Sequence, residues 1–116
     1  MNAIEKLVRD VFAELGAGRR EKAYQMALAY ALNSNGITAS TEVSHSIRYY
    51  DVHVATAFID ILTETHVVEI KYVKKITDVH RDQCLAYMRD KQLKGILINF
   101  GTSPPEVEHL SILNGS

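Results

Sequence analysis

The chain has 116 residues, 47% of them apolar and 23% charged, with a formal net charge of -1. That length suits one compact domain over residues 1–116, and the near-neutral total leaves no global basic footprint for nucleic acid, although a local patch can sit inside it. No run is long and apolar enough to cross a membrane. The single cysteine, Cys84, excludes an internal disulfide, and Glu5, Lys6, Arg9 and Asp10 stand where a secretory signal would place its apolar core, so an intracellular location is expected.

Ile4, Leu7, Val8, Val11, Phe12 and Leu15 recur at helical spacing and Gly16 follows as a stop, which predicts a first amphipathic helix. A second helix is expected from near Gly18 to about Asn35, with Tyr24, Leu28, Ala31 and Leu32 inward. Glu21 shares that inward face, whereas Lys22 and Gln25 are expected to point away. Arg19 and Arg20 would then occupy the first turn, where positive charge opposes the helix dipole. Either a phosphate-like anion offsets that cost or both arginines are simply solvated.

Ile37 to Arg48 alternates loosely and is rich in Thr, Val and Ile, the pattern of a strand with one wetter face. Tyr49-Tyr50-Asp51 reads as a hairpin connection, and the chain returns through Val52 to Leu62. Within Ala57 to Val73 two apolar strands are joined by the polar turn Thr63-Glu64-Thr65, with Asp60 inside the first and Glu69 and Lys71 inside the second. An ionised carboxylate in an apolar strand is costly unless something compensates it. Alternation sets Glu69 and Lys71 on one face and Val68 and Ile70 on the other, so three charges are expected to converge. A buried ion-pair network without function is the alternative. Three antiparallel strands in a meander are the simplest arrangement.

A third helix is expected after Thr77, with Asp78 in its first turn and its end near Lys91. Gly95-Ile96-Leu97-Ile98-Asn99-Phe100-Gly101 reads as a buried strand, Ser103-Pro104-Pro105 as a break, Val107 to Leu113 as a last edge strand, and Asn114-Gly115-Ser116 as a frayed end. Cys84 is expected as a buried helical thiol rather than a nucleophile. The five histidines lack zinc-like spacing, and His80 either lines a cleft near Gln83 or fixes the helix start. Lys74 and Lys75 are read as solvated or as contacts to a nucleic-acid backbone.

Taken together, Gly18-Arg19-Arg20-Glu21-Lys22-Ala23-Tyr24 resembles the signature of the GxxExxY proteins. Asp60-Ile61-Leu62, Val68-Glu69-Ile70-Lys71, His80-Arg81-Asp82-Gln83 and the glycine-bounded run 95–101 continue the likeness over about residues 11 to 113. Through the PD-(D/E)XK nuclease-like superfamily, this resemblance implies an α/β (α+β) fold in the order α-α-β-β-β-α-β-β. Its restriction-endonuclease-like core is a mixed four- to five-stranded sheet flanked by helices. It also implies a magnesium-dependent phosphodiesterase centre in which manganese can substitute. Carried over by position, Asp60 and Glu69 would be the metal-binding carboxylates, Lys71 the catalytic lysine, Glu21 the helical glutamate and Gln83 a polar residue from the following helix. The proline of the superfamily's name is absent, since Ile59 precedes Asp60. Tyr24 stays open between a core aromatic and a ligand-contacting group, and Glu21 between a site residue and a partner for a nearby arginine.

The chemistry fits these residue types on its own terms. Hard divalent cations prefer oxygen ligands, which Asp60, Glu69, Glu21 and the Ile70 carbonyl supply. Lys71 can orient an attacking hydroxide or neutralise charge developing on phosphate, and Gln83 can donate and accept. The expectation is a nuclease acting on DNA rather than RNA, structure-directed or weakly specific, for which a homodimer would present two sites. The alternatives are a catalytically inactive nucleic-acid-binding or regulatory module, and a protein-interaction domain.

Overall fold

The computed structural model describes residues 2–112, so Leu113 and the expected frayed end Asn114-Gly115-Ser116 lie outside the described residues. The elements run α1 (Ala3–Leu15), α2 (Glu21–Ser34), β1 (Ala39–Tyr49), β2 (Val52–Thr63), β3 (His66–Lys71), α3 (Asp78–Lys91), β4 (Lys94–Asn99) and β5 (Glu106–Leu110). This is the expected α+β order. Among the described residues no helix is long and apolar enough to cross a membrane.

The strands form one five-stranded mixed sheet in the order β1-β2-β3-β4-β5. β1, β2 and β3 make the antiparallel meander, β4 runs parallel to β3, and β5 closes the far edge antiparallel to β4. A parallel pair needs a crossover, and α3 supplies it. Helices α1 and α2 bring Val8, Leu28 and Leu32 onto Ile61, Val68, Ile70, Ile96 and Ile98. Cys84, Tyr87 and Met88 of α3 cover Ile59 and Val67 on the opposite face. With both faces covered, β4 can be apolar almost throughout, as its run from Gly95 to Ile98 is. A Cβ at Gly95 would collide with Met88, so the missing side chain lets α3 pack down.

Local chemistry sets the element ends. Asn2 caps α1 by accepting from the Glu5 N–H at 2.8 Å. Thr77 and His80 form a reciprocal cap on α3, which fixes His80 at the helix start. Helix α2 begins at Glu21, three residues later than expected, because Gly18 sits at a φ of 88° that no helix admits. Arg19 and Arg20 therefore precede the helix, and Arg20 is its extended N-cap residue. The last strand ends at Leu110, short of the expected Leu113.

Two further features bear on the site. The β1–β2 hairpin is long, pairing Ala39 with Thr63 at its base and Tyr49 with Val52 at its tip, where Tyr50 takes the positive φ that primed turns require. Asn99 is fully buried, and its amide bonds the N–H and C=O of Val73, the N–H of Gly101 and the Glu106 carboxylate. That one side chain anchors the segment leaving β3 and the turn leaving β4.

Candidate active site

The ladder between β2 and β3 pairs Ile61 with Val68 and Leu62 with Val67, and stops where the acids begin. Beyond that point the side chains replace the ladder. The Asp60 N–H donates to Glu69 Oε2 at 2.9 Å, and the Ile70 N–H donates to Asp60 Oδ2 at 2.8 Å. The two carboxylates thus interlock the strands that carry them. A strand residue's N–H and C=O point the same way, so the Ile70 carbonyl also faces this gap. Lys71 follows, and its charge acts on both acids.

Glu69 is 3% exposed, and burial together with the Asp60 charge pushes its carboxyl up to about 8. Burial raises Asp60 as well, against the opposing pull of the Ile70 N–H and Lys71. On the α3 side, burial and the charge of Glu69 raise the Tyr87 hydroxyl and push the Cys84 thiol up to about 12, so Cys84 is a buried, inert thiol as expected.

Two residues that sequence reasoning missed complete the surroundings. Strand residues two apart normally share a face. Yet Ile61 packs with α1 and α2 whereas Ile59 packs with α3. The ribbon turns over at this step, where Glu42, on the neighbouring strand, holds a left-handed φ of 53°. The Glu42 carboxylate accepts from Lys22 Nζ at 2.6 Å, which holds it below the usual carboxylate range. Gln25, expected to point outward, is instead 4% exposed, and its Nε2 donates to the Asp60 carbonyl at 3.0 Å. The inward arc of α2 is therefore wider than its apolar residues indicate. The one clue to Glu42 was that it is the sole Asp, Glu, Lys or Arg between Ile37 and Ile47.

Glu21 is exposed, at the end of the sheet rather than in the core, and accepts from the Tyr72 N–H at 2.9 Å. The loop before α2 meets the same tyrosine, since the Gly18 N–H donates to the Tyr72 hydroxyl at 2.7 Å. Arg19 and Arg20 lie exposed on that loop, and Lys74 and Lys75 lie exposed just past Tyr72. Tyr24 is fully buried, stacked between Tyr72 and Phe100, and its hydroxyl donates to the Gly16 carbonyl while accepting from the Arg19 N–H. It is a core residue, which corrects the ligand-contacting reading. Gln83 is exposed and donates to the Tyr87 hydroxyl at 3.3 Å, lining a cleft of about 410 Å³ with His45, Arg48 and Ala57. Among the described residues Gln83 makes no hydrogen bond to either acid, and its partner Tyr87 feels them only through their charge. A cavity of about 370 Å³ near Asn2, Gly36 and His66 lies at the other end of β3.

Among the described residues, no three His, Cys, Asp or Glu side chains already stand together as a metal cage. Glu21 is turned to Tyr72 and Glu42 to Lys22. The donor chemistry nevertheless suits a hard cation. Asp60 Oδ1 and Glu69 Oε1 carry no hydrogen bond among the described residues, and no buried side-chain oxygen there lacks a partner, so both free oxygens reach solvent. Two acids held this close, one of them displaced far from its ordinary titration, form a pair that a divalent charge would return to the ionised state.

A family model described as the PD-(D/E)XK nuclease superfamily matches residues 1–110. No curated protein and no solved structure matches.

Proposed function

The chain belongs to the PD-(D/E)XK nuclease superfamily, and from that premise we propose that it is a metal-dependent nuclease hydrolysing phosphodiester bonds in DNA. Within the superfamily, the run from Gly18 to Tyr24 favours the GxxExxY group. The single observation that carries the reading is the interlock of the half-buried Asp60 and the buried Glu69, whose carboxylates are bonded to each other's strands beside Lys71. A purely structural pair would leave two acids in a largely apolar setting with only the single charge of Lys71 set against them.

In this reading Asp60, Glu69 and the Ile70 carbonyl would hold a hard divalent cation, magnesium or manganese in its place, and Glu21, bonded to the Tyr72 N–H, would be the further carboxylate available to it. The bound cation would lower the pKa of its water and stabilise charge on the phosphate oxygens. Lys71 orients the attacking hydroxide or neutralises the phosphate. Arg19, Arg20, Lys74 and Lys75 give the local basic rim for the nucleic-acid backbone that the net charge conceals, and Gln83, bonded to the Tyr87 hydroxyl, is the polar group that α3 offers to substrate. A chain this small has little surface for reading sequence, so cleavage is structure-directed or weakly specific, and a homodimer presents two sites.

Incubation with plasmid and branched DNA plus magnesium or manganese tests this. Metal-dependent nicking is expected, and Lys71→Ala should reduce it by at least roughly a hundredfold, as loss of one charge-stabilising group does. Binding without cleavage under every metal condition would overturn the enzyme in favour of an inactive module.

A further inference from the structure

Beyond His45 on β1 and Ala57 on β2, which still meet α3, the hairpin leaves the shelter of the helices, and residues 46–56 are all exposed. Ile47, Tyr49, Tyr50, Val52, Val54 and Phe58 stand 43 to 84% open. Ile47, Tyr49 and Val52 share one face of the ribbon, whereas Phe58, opposite Ser44, lies on the other. β1 is also an edge strand, paired with β2 alone; Asn33 takes up the N–H and C=O of Ala39 at its base, and from Val43 onward no partner meets its outer side among the described residues. From Val43 to Tyr49 that edge has no proline and no lysine, and Arg48 is its only formal charge. The usual devices that blunt an exposed edge are absent from this stretch.

We propose that the outer edge of this arm docks a second copy of the chain, antiparallel across a two-fold axis at Ser46. The register follows from the residues on the edge. Centred there, the pairing sets Val43 against the partner's Tyr49 and His45 against the partner's Ile47 on one face. It sets Ser44 against the partner's Arg48 on the other. A β-branched side chain then meets an aromatic one, a favourable cross-strand pair, and no like charges face each other. Glu42, with its left-handed backbone, ends the extended edge and so limits the pairing to this stretch. The axis sets Ile47 and Tyr49 of each copy beside the partner's His45 and Val43, so the apolar side chains of one face run on across the junction.

Charge argues for a second copy over nucleic acid. Between Val43 and Phe58 the only formal charges are Arg48 and Asp51, which cancel, whereas surfaces that take phosphate are basic. The pairing stands on the arm's own surface and not on the nuclease reading, so mass measurements and cleavage assays fail separately.

Sedimentation equilibrium of the full chain across a micromolar concentration series tests it. The expected mass is twice that of the chain. Ile47→Arg, at an exposed position, should halve it while the circular dichroism spectrum and thermal melt are kept. Ser46→Cys should form a covalent dimer under mild oxidation, because the two sulfurs face each other across the axis. A chain mass at every concentration, a dimer that survives Ile47→Arg, or a dimer without the Ser46→Cys link would overturn the surface or its register. Loss of DNA binding in Ile47→Arg at unchanged mass would overturn it too, and would give the arm to nucleic acid.

Discussion

Glu69 makes the clearest statement at the scale of one residue. Its carboxyl titrates near 4.5 in an unfolded chain and is pushed up to about 8 in the fold. The folded state therefore binds the extra proton, so this contribution to stability is complete below about 4.5 and is lost as pH rises through about 8. Asp60, also raised, acts in the same direction. The cation-free protein should thus lose urea resistance steadily across that window. Glu69→Gln should flatten the profile, and so should saturating manganese, which favours the ionised form. A wild-type profile that rises with pH across the window would contradict the assignment.

Asn99 shows how much one uncharged side chain can hold at the scale of an element. Its four hydrogen bonds join the segment after β3 to the turn after β4. Asn99→Ala would leave backbone groups of Val73 and Gly101 without their partner, at a cost of roughly 1–3 kcal/mol for each group that stays buried. Chemical denaturation should read the loss, and hydrogen exchange should show faster opening at Val73 and Gly101 than in the body of β4. This buried asparagine lies inside the glycine-bounded run that sequence reasoning read as a strand, but nothing local signals the partner 26 residues away.

Elements with strong local chemistry were legible in advance for that reason. Thr77 opens α3 and Lys91 ends it, the hairpin turns at Tyr50-Asp51, and the meander follows from short polar turns. Asp60 and Glu69 stood out because charge in an apolar strand is costly. The start of α2 was misplaced because the glycine of the signature looks like a helix entry, whereas its backbone is left-handed. Gln25 and Glu42 were illegible for another reason. Each depends on a neighbour in a different element, Gln25 on Asp60 and Glu42 on Lys22, and on a reversal of the ribbon that alternation alone does not contain.

At the scale of the whole molecule, a net charge of -1 hides a division of labour. Acids gather where β1, β2 and β3 meet, while Arg19, Arg20, Lys74 and Lys75 lie around Tyr72 at the sheet's end. The acids themselves are held in two unlike ways. The buried Glu69 and half-buried Asp60 are gripped by backbone N–H groups, whereas Glu42 is held by direct contact with Lys22 at the surface, with both side chains about half open. Ionic strength should therefore separate them, since salt screens an exposed pair and hardly touches the buried bonds. Raising sodium chloride should bring the Glu42 carboxyl back toward its ordinary titration in carbon-detected NMR, and leave Glu69 where it is. Brine would act as a key that turns only one of these locks.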